Sequence, residues 1–132
     1  MNFNLKKWMD GNELEKRAIV AGLCEPKLLK EKTIIIELLE ILKIITMGFD
    51  NIYGKLSENQ NSLRKTLGYG WSVAIVSLPN EGKLAFEKIA ECNNKHIKWI
   101  VKENLRKKRL TVMDKKWVEK MRDCKQQQNK TK

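Results

Sequence analysis

The sequence predicts an all-α protein. Its 132 residues are 42% hydrophobic and 33% charged, which is typical of one globular domain with a modest core. The long apolar segments repeat with the period of a helix, and no alternating segment is closed by a hairpin turn such as Asn-Gly. The one β-branched run, residues 33–36, continues into a helical pattern. Strands are therefore not expected.

Seven helices are predicted, separated by capping and turn residues. Asn12 is a candidate N-cap for the second helix, which must end before Pro26, and Pro79 ends the fourth. The polar stretch DNIYGKLSENQN, residues 50–61, is the main predicted loop. The later helices have capping candidates in Ser62, Asn80 and Asp114. The helices are predicted over about 3–9, 12–24, 30–49, 62–78, 81–91, 95–109 and 114–125.

The helix predicted over 30–49 is apolar almost all round. Its central charges, Glu37, Glu40 and Lys43, recur every three residues and form one narrow polar stripe. Charges at the centre of the segment argue against a membrane span. Such a helix needs neighbours on more than one side.

The helix lengths and short connections predict antiparallel helical hairpins stacked as a short α-solenoid, with a compact bundle as the alternative. Internal repetition supports stacking: WMDGNELEKRAIVAGL (8–23) and IAECNNKHIKWIVKENL (89–105) each contain a helix end, a polar turn and a helix closing on Leu. We expect one domain over 1–125 and a disordered basic tail over 126–132.

The segment NNKHIKWIVKENLRK (93–107) resembles the second helix of a HEAT-type repeat. The segments 15–29 and 67–83 are similar to parts of bacterial and archaeal HEAT-repeat proteins, so the resemblance covers about residues 10–120. It implies a HEAT-like solenoid, as in the carboxyl-terminal part of an array, and a scaffold role. The related helical-repeat alkylpurine DNA glycosylases bind DNA on a basic concave face. No position here matches their catalytic carboxylate and aromatic pocket, so that activity is not carried over.

Positive charge is concentrated at the carboxyl end of the chain. Residues 1–94 contain 13 Lys or Arg and 12 Asp or Glu, whereas residues 95–132 contain 14 and 4, giving net charges of +1 and +10. This asymmetry points to a polyanion or an acidic partner, although a solvated tail has the same composition.

Four basic residues of the segment 95–109, Lys98, Lys102, Arg106 and Arg109, are predicted to share one face of a helix. At 100° per residue, the apolar residues Ile97, Ile100, Val101 and Leu105 lie opposite to them. Like charges at i, i+4 spacing repel by a few tenths of a kcal/mol, so this row does not serve helix stability. Phosphate binding with stacking on the tryptophan is one interpretation, and an ordinary solvated face near a helix end is the other. The candidate binding residues are Lys98, Trp99, Lys102, Arg106 and Arg109.

Other candidate sites have structural interpretations. His96 lacks Cys or carboxylate partners at a metal-like spacing, and Glu37 and Glu40 lie on a solvated stripe without a nucleophile signature. The stretch Gly68-Tyr69-Gly70-Trp71 is not a phosphate-binding loop and instead indicates close helix packing, with its aromatic residues between the helices. No catalytic residue, metal or cofactor is therefore expected.

The cysteines indicate a reducing, cytoplasmic setting. Cys24, Cys92 and Cys124 are odd in number and form no CxxC pair, so neither a disulfide framework nor a zinc site is suggested. They are interpreted as small buried hydrophobes. The N-terminus lacks the continuous apolar segment of a secretory signal.

Three functions remain open from the sequence. The first is a non-catalytic interaction module or scaffold that binds a protein partner. The second is nucleic-acid binding without sequence preference, and the third is a DNA-base-processing enzyme that would require a pocket carboxylate. No membrane partner is expected. The short first helix FNLKKWM leaves apolar surface that a preceding repeat or a second copy would cover, so a homodimer is one expectation.

Overall fold

The computed structural model describes the backbone of residues 31–130 and the side chains of residues 31–123. Within this range it contains five α-helices, one 3-10 helix and no strand, which confirms the all-α prediction for the described residues. The predicted helices over 3–9 and 12–24 lie outside them. The helices are α1 (Lys32–Met47), α2 (Glu58–Ser77), α3 (Pro79–Ala90), α4 (Lys95–Leu105) and α5 (Lys108–Lys130), with the 3-10 helix at Gly48–Asn51.

Helix α2 begins earlier than predicted, so Ser62 is not its N-cap. Ser57 caps the helix instead: its Oγ accepts from the Gln60 backbone N–H at 3.1 Å, and the Ser57 N–H donates to Gln60 Oε1 at 2.9 Å. This reciprocal pair is a capping box. The N-cap predicted at Asn80 is also wrong, because α3 begins at Pro79, whose missing N–H is no loss in a first turn.

Helix α4 is shorter than predicted. It ends at Leu105, whose carbonyl oxygen accepts from Arg122 Nη2 on α5 at 2.7 Å, and a turn at 106–107 leads into α5. The prediction of one helix over 95–109 is therefore wrong at its end. The prediction that Asp114 is an N-cap is confirmed, because its backbone is non-helical and its Oδ1 accepts from the Trp117 N–H at 3.1 Å. Asp114 thus divides α5 at a kink.

Helices α2 and α4 lie side by side and run in the same direction. Near the start of both, Arg64 Nη1 lies 3.3 Å from His96 Nδ1. Two turns later, the Ser72 N–H donates to Asn104 Oδ1 at 3.0 Å. Because residue numbers rise together on both helices, the helices are parallel.

Helices α1 and α3 also lie side by side and run in the same direction. Lys32 Nζ at the start of α1 lies 3.8 Å from Glu81 Oε1 at the start of α3, and Met47 Sδ at the end of α1 is 3.4 Å from Cys92 Sγ just beyond α3. Helices α2 and α3 are antiparallel neighbours across the turn at Leu78. Two antiparallel pairs, α1–α2 and α3–α4, therefore lie next to each other, and α2 contacts the other four helices.

An aromatic series crosses the core from α2 to α5. Trp71 and Phe86 have ring centroids 5.8 Å apart, and Phe86 and Trp117 are also 5.8 Å apart. The Trp71 indole N–H is satisfied by Thr46 Oγ1 of α1 at 2.9 Å, as a buried donor requires. The core assignment of Trp71 is thus confirmed, and Trp117 is buried as well. Tyr69 is instead 37% exposed, so its assignment to the core is wrong.

Helix α1 has neighbours on two sides, α2 and α3, as its apolar composition predicts. Ile41 is 1% exposed, whereas Glu40 of the polar stripe is exposed. The outward positions Ile36 and Ile44 are 43% and 45% exposed, so the apolar circumference of α1 is only partly covered.

The antiparallel contact between α2 and α3 depends on Gly82. A Cβ atom built at Gly82 would lie 2.7 Å from the Cα atom of Ile75, a separation that real Cβ atoms essentially never show. Gly82 is buried, and the neighbouring atom belongs to backbone. Only a residue without a side chain fits here without a shift of one helix.

We expect Gly82→Ala to lower the free energy of unfolding by about 1–3 kcal/mol. The free-energy cost of overpacking exceeds the gain of about 1 kcal/mol that Ala brings in helix propensity. Gly48→Ala is the matched control. Gly48 has φ −59°, and a Cβ atom built there would meet no atom within 4 Å, so that change should be neutral or stabilising by up to about 1 kcal/mol. Urea unfolding of both variants measures the difference. Equal stability of the two would contradict the close contact.

Candidate functional site

The start of α4 is fixed to the connection between α1 and α2. Asn94 caps the helix, because its Oδ1 accepts from the N–H groups of His96 at 2.8 Å and Ile97 at 3.3 Å. Its Nδ2 donates in the other direction, to the Ile52 carbonyl at 2.8 Å. One buried amide therefore holds both the helix and the connection.

His96 has a structural role in the same region. The residue is 4% exposed, with Nε2 3.0 Å from the Gly54 carbonyl oxygen and Nδ1 3.3 Å from Arg64 Nη1. Arginine only donates, so Nδ1 accepts and Nε2–H donates to Gly54. Both ring nitrogens are thus occupied by contacts within the protein.

Trp99 lies at the seam between α2 and α4. A Cβ atom at Gly68 would be only 3.1 Å from its ring, so the glycine allows the indole to pack directly on the α2 backbone. The guanidinium carbon of Arg64 lies 4.5 Å from the ring centroid, a cation–π arrangement. Trp99 is half-buried. Arg64 therefore already occupies part of the ring on which a nucleic-acid base was predicted to stack.

The predicted basic row is divided between two helices. Lys102 and Arg106 are exposed and share a face of α4 and its C-cap with Trp99, and Arg106 Nη1 is 3.5 Å from Glu103 Oε2. Lys98 is half-buried and makes an interaction within the protein. Arg109 is exposed but belongs to α5, so its position in the α4 row is corrected.

The structure adds residues that the sequence did not indicate. On α2, Lys65 and Tyr69 are exposed next to the residues that contact α4, and Lys95 is exposed one turn before Trp99. No local pattern predicts this, because the two helices are brought together by contacts across more than thirty residues. We define the α2–α4 surface as Lys65, Tyr69, Lys95, Trp99, Lys102 and Arg106.

A second polar cluster joins α3 to α5. Lys83 Nζ donates to Asp114 Oδ2 and lies 5.7 Å from the centre of the Trp117 ring. The Trp117 indole N–H donates to Glu87 Oε1 at 3.2 Å. The hydrogen bond from Lys83, and then that from the Trp117 backbone, lower the pKa of Asp114 below its ordinary value. This cluster fixes the kink of α5 against α3.

The surroundings of Cys92 agree with the interpretation of the cysteines as structural rather than reactive residues. It is half-buried, and its Sγ lies 3.4 Å from Met47 Sδ. Burial raises the pKa of its thiol, and the charges of Asp50 and Glu91 add to that effect. A thiol of raised pKa is less ionised and a weaker nucleophile at neutral pH. Cys24 lies outside the described residues.

Neither a metal cluster nor a known relative provides a further indication of function. Among residues 31–123, no three His, Cys, Asp or Glu side chains lie close enough together to hold a metal ion. None of the helices in the described part of the chain has the length and apolar content that a membrane span requires. The sequence matches no protein-family model, and no curated protein or solved structure matches the chain.

We expect Asp114→Asn to weaken the acid dependence of folding. Because the folded pKa of Asp114 is lowered, its carboxylate stabilises the fold above the unfolded pKa of about 4. That contribution is lost as the pH falls through the lowered value. Asn keeps the N-cap but cannot ionise, so the stability difference between wild type and variant should shrink below about pH 4.

Denaturant unfolding between about pH 7 and pH 2, a range that spans the titration of a carboxyl group, measures this effect. Glu119→Gln removes one carboxylate from an exposed position on the same helix and is the control for net charge. Parallel stability curves for wild type and Asp114→Asn would show that the Lys83 contact adds nothing to the folded state.

Proposed function

We propose that this chain is a non-catalytic interaction module that binds a protein partner through the α2–α4 surface. The directions of the helices support stacked hairpins as in a short HEAT-like α-solenoid, because α1 and α3 are parallel, as are α2 and α4. In such stacks the second helices of successive hairpins line one continuous face, and that face is the usual binding surface. Here those helices are α2 and α4.

The observation that carries the proposal is the composition of this face. Tyr69 is 37% exposed and lies among exposed cations from both helices, including Lys65 and Lys102. Tyrosine and arginine are enriched at protein interfaces, where an aromatic ring supplies contact area and cations select an acidic partner. The face is also rigid, because buried Asn104 bonds the backbones of both helices. We therefore expect the partner to be acidic.

A paired variant tests this proposal. Tyr69→Ala with Lys102→Glu should reduce capture of specific proteins from a nuclease-treated cell extract at least about tenfold, the effect of losing one or two central contacts. Leu84→Ala with Lys88→Glu is the control, because both residues are exposed on α3, outside the α2–α4 surface, and each pair removes one large side chain and reverses one charge. Quantitative mass spectrometry of the captured proteins gives the ratio. The proposal fails if both variants retain the same proteins as the wild type.

Nucleic-acid binding is the second candidate, favoured by the exposed cations of α4 and α5. Two of the acidic residues in this region are already engaged, Glu103 by Arg106 and Asp114 by Lys83. The surface that faces solvent is therefore strongly basic, and contact with phosphates would release counterions. The cations along this surface are Lys95, Lys102, Arg106, Lys108, Arg109, Lys115, Lys116, Lys120 and Arg122.

Duplex DNA binding measured by fluorescence anisotropy tests the second candidate. If the exposed Lys95, Lys102, Arg106 and Arg109 each contact a phosphate, the log–log salt slope should be about −3.6, from about −0.9 per contact. Changing these four to Gln should remove most binding with little change in melting temperature. The control changes four cations elsewhere, Lys32, Lys43, Lys55 and Lys88, to Gln. No binding at about 50 mM salt, a low concentration for such contacts, or equal loss in both variants, excludes this candidate.

A further inference from the structure

Arg64 is a half-buried cation whose contacts leave much of its bonding capacity unused. Of the five N–H groups of a guanidinium, one bonds to His96 Nδ1 at 3.3 Å and one to Asn61 Oδ1 at 3.3 Å. The Nε atom is buried and has no acceptor among the described residues. Two N–H groups on the Nη atoms remain. The buried Nε is closed to a ligand, so these two Nη N–H groups are the donors that a ligand can use.

Arg64 also has no carboxylate partner in the part of the chain that the structure describes. The ion pairs there join Lys32 to Glu81, Lys83 to Asp114 and Arg106 to Glu103. Its own neighbours are an amide, a histidine nitrogen that acts as acceptor, and the ring of Trp99 at 4.5 Å. These groups hold the guanidinium in place without neutralising it, and a partly desolvated charge without a counter-ion is unfavourable.

The exposed charges on the adjoining turns of α2 and α4 are also positive. Lys95 and Lys102 are exposed one turn before and one turn after Trp99 on the same face of α4, and exposed Lys65 follows Arg64 on α2. Glu103, the acidic residue packed against the seam, is engaged by Arg106 at 3.5 Å. The junction of α2 and α4 therefore concentrates positive potential around one fixed guanidinium.

We propose that the junction of α2 and α4 is a phosphate-binding site in which Arg64 is the central ligand. Two oxygens of a tetrahedral phosphate accept from the Nη N–H groups that His96 and Asn61 leave unused, and the negative charge offsets the cost of the half-buried cation. A dianion is favoured over a monovalent carboxylate because Lys95 and Lys102 add to the field of Arg64. The arginine is already held by Trp99, so little side-chain entropy is lost on binding.

This site does not depend on the proposed protein partner, and its test needs none. Sodium phosphate is added to the whole protein at constant ionic strength while NMR follows the indole N–H of Trp99, assigned with Trp99→Phe. The shift should saturate with a half-point on the order of 1 mM, the affinity expected of a few charge-assisted hydrogen bonds in water. Arg64→Gln should weaken this at least about tenfold, whereas Lys65→Gln, which removes the same charge one residue away, should weaken it less than about threefold.

Two further titrations, followed by the same NMR signal, define the ligand. Sodium acetate at the same ionic strength should give no saturating shift, and a nucleoside monophosphate that binds more tightly than inorganic phosphate would identify the phosphate as part of a nucleotide. If inorganic phosphate binds better, the site takes the free anion. Both results support a phosphate site. A linear response to phosphate, or an equal response to acetate, overturns it.

Circular dichroism shows whether Arg64→Gln folds. If it does not, Arg64→Lys replaces it, because lysine keeps the charge and lacks the planar fork. A folded Arg64→Lys variant should bind phosphate at least about fivefold more weakly than wild type, which corresponds to about 1 kcal/mol. Unchanged binding in either folded Arg64 variant overturns the assignment.

Discussion

The structure depends on the close approach of α2 and α4, which Gly68 permits and Asn104 secures. Asn104 is fully buried, and its amide bonds to backbone groups alone: Oδ1 accepts from Ser72, and Nδ2 donates to Leu67 and to Ile100. All these groups are satisfied, so the polar residue is compatible with the core. A polar amide at this position also fixes the register of the two helices, because a shift along either axis would leave the amide unpaired.

The fixed register explains the position of the proposed binding residues at the other end of the seam. Asn94 and His96 attach the start of α4 to the connection after α1, so α4 cannot rotate about the Asn104 contact. Arg64 then meets Trp99 at a defined place, although the two residues are far apart in sequence. The α2–α4 surface is therefore rigid, and a rigid surface loses less entropy when a partner binds.

The sequence predicts the helices of the described region well and their ends less well, for physical reasons. Helical periodicity identifies the buried face of α4, and Asp114 is a cap because its side chain bonds within its own segment. The end of α4 at Leu105 has no local signal such as Gly or Pro. It is set by Arg122, which binds the last carbonyl from another helix. Similarly, Ser57 and Ser62 are both acceptable caps, and only Ser57 has Gln60 in the reciprocal position.

The residues of the proposed sites divide in the same way into those that the sequence predicts and those that it does not. Trp99, Lys102 and Arg106 were predictable because one helix places them on one face, whereas Arg109 was misplaced by the unrecognised helix end. Arg64 carries no signal in its own segment, where it is one more cation in the first half of α2. Its significance arises from tertiary structure, because packing against Trp99 partly desolvates its charge and neighbouring α4 supplies further cations. The proposed anion site is therefore centred on a residue that no pattern of the sequence identifies.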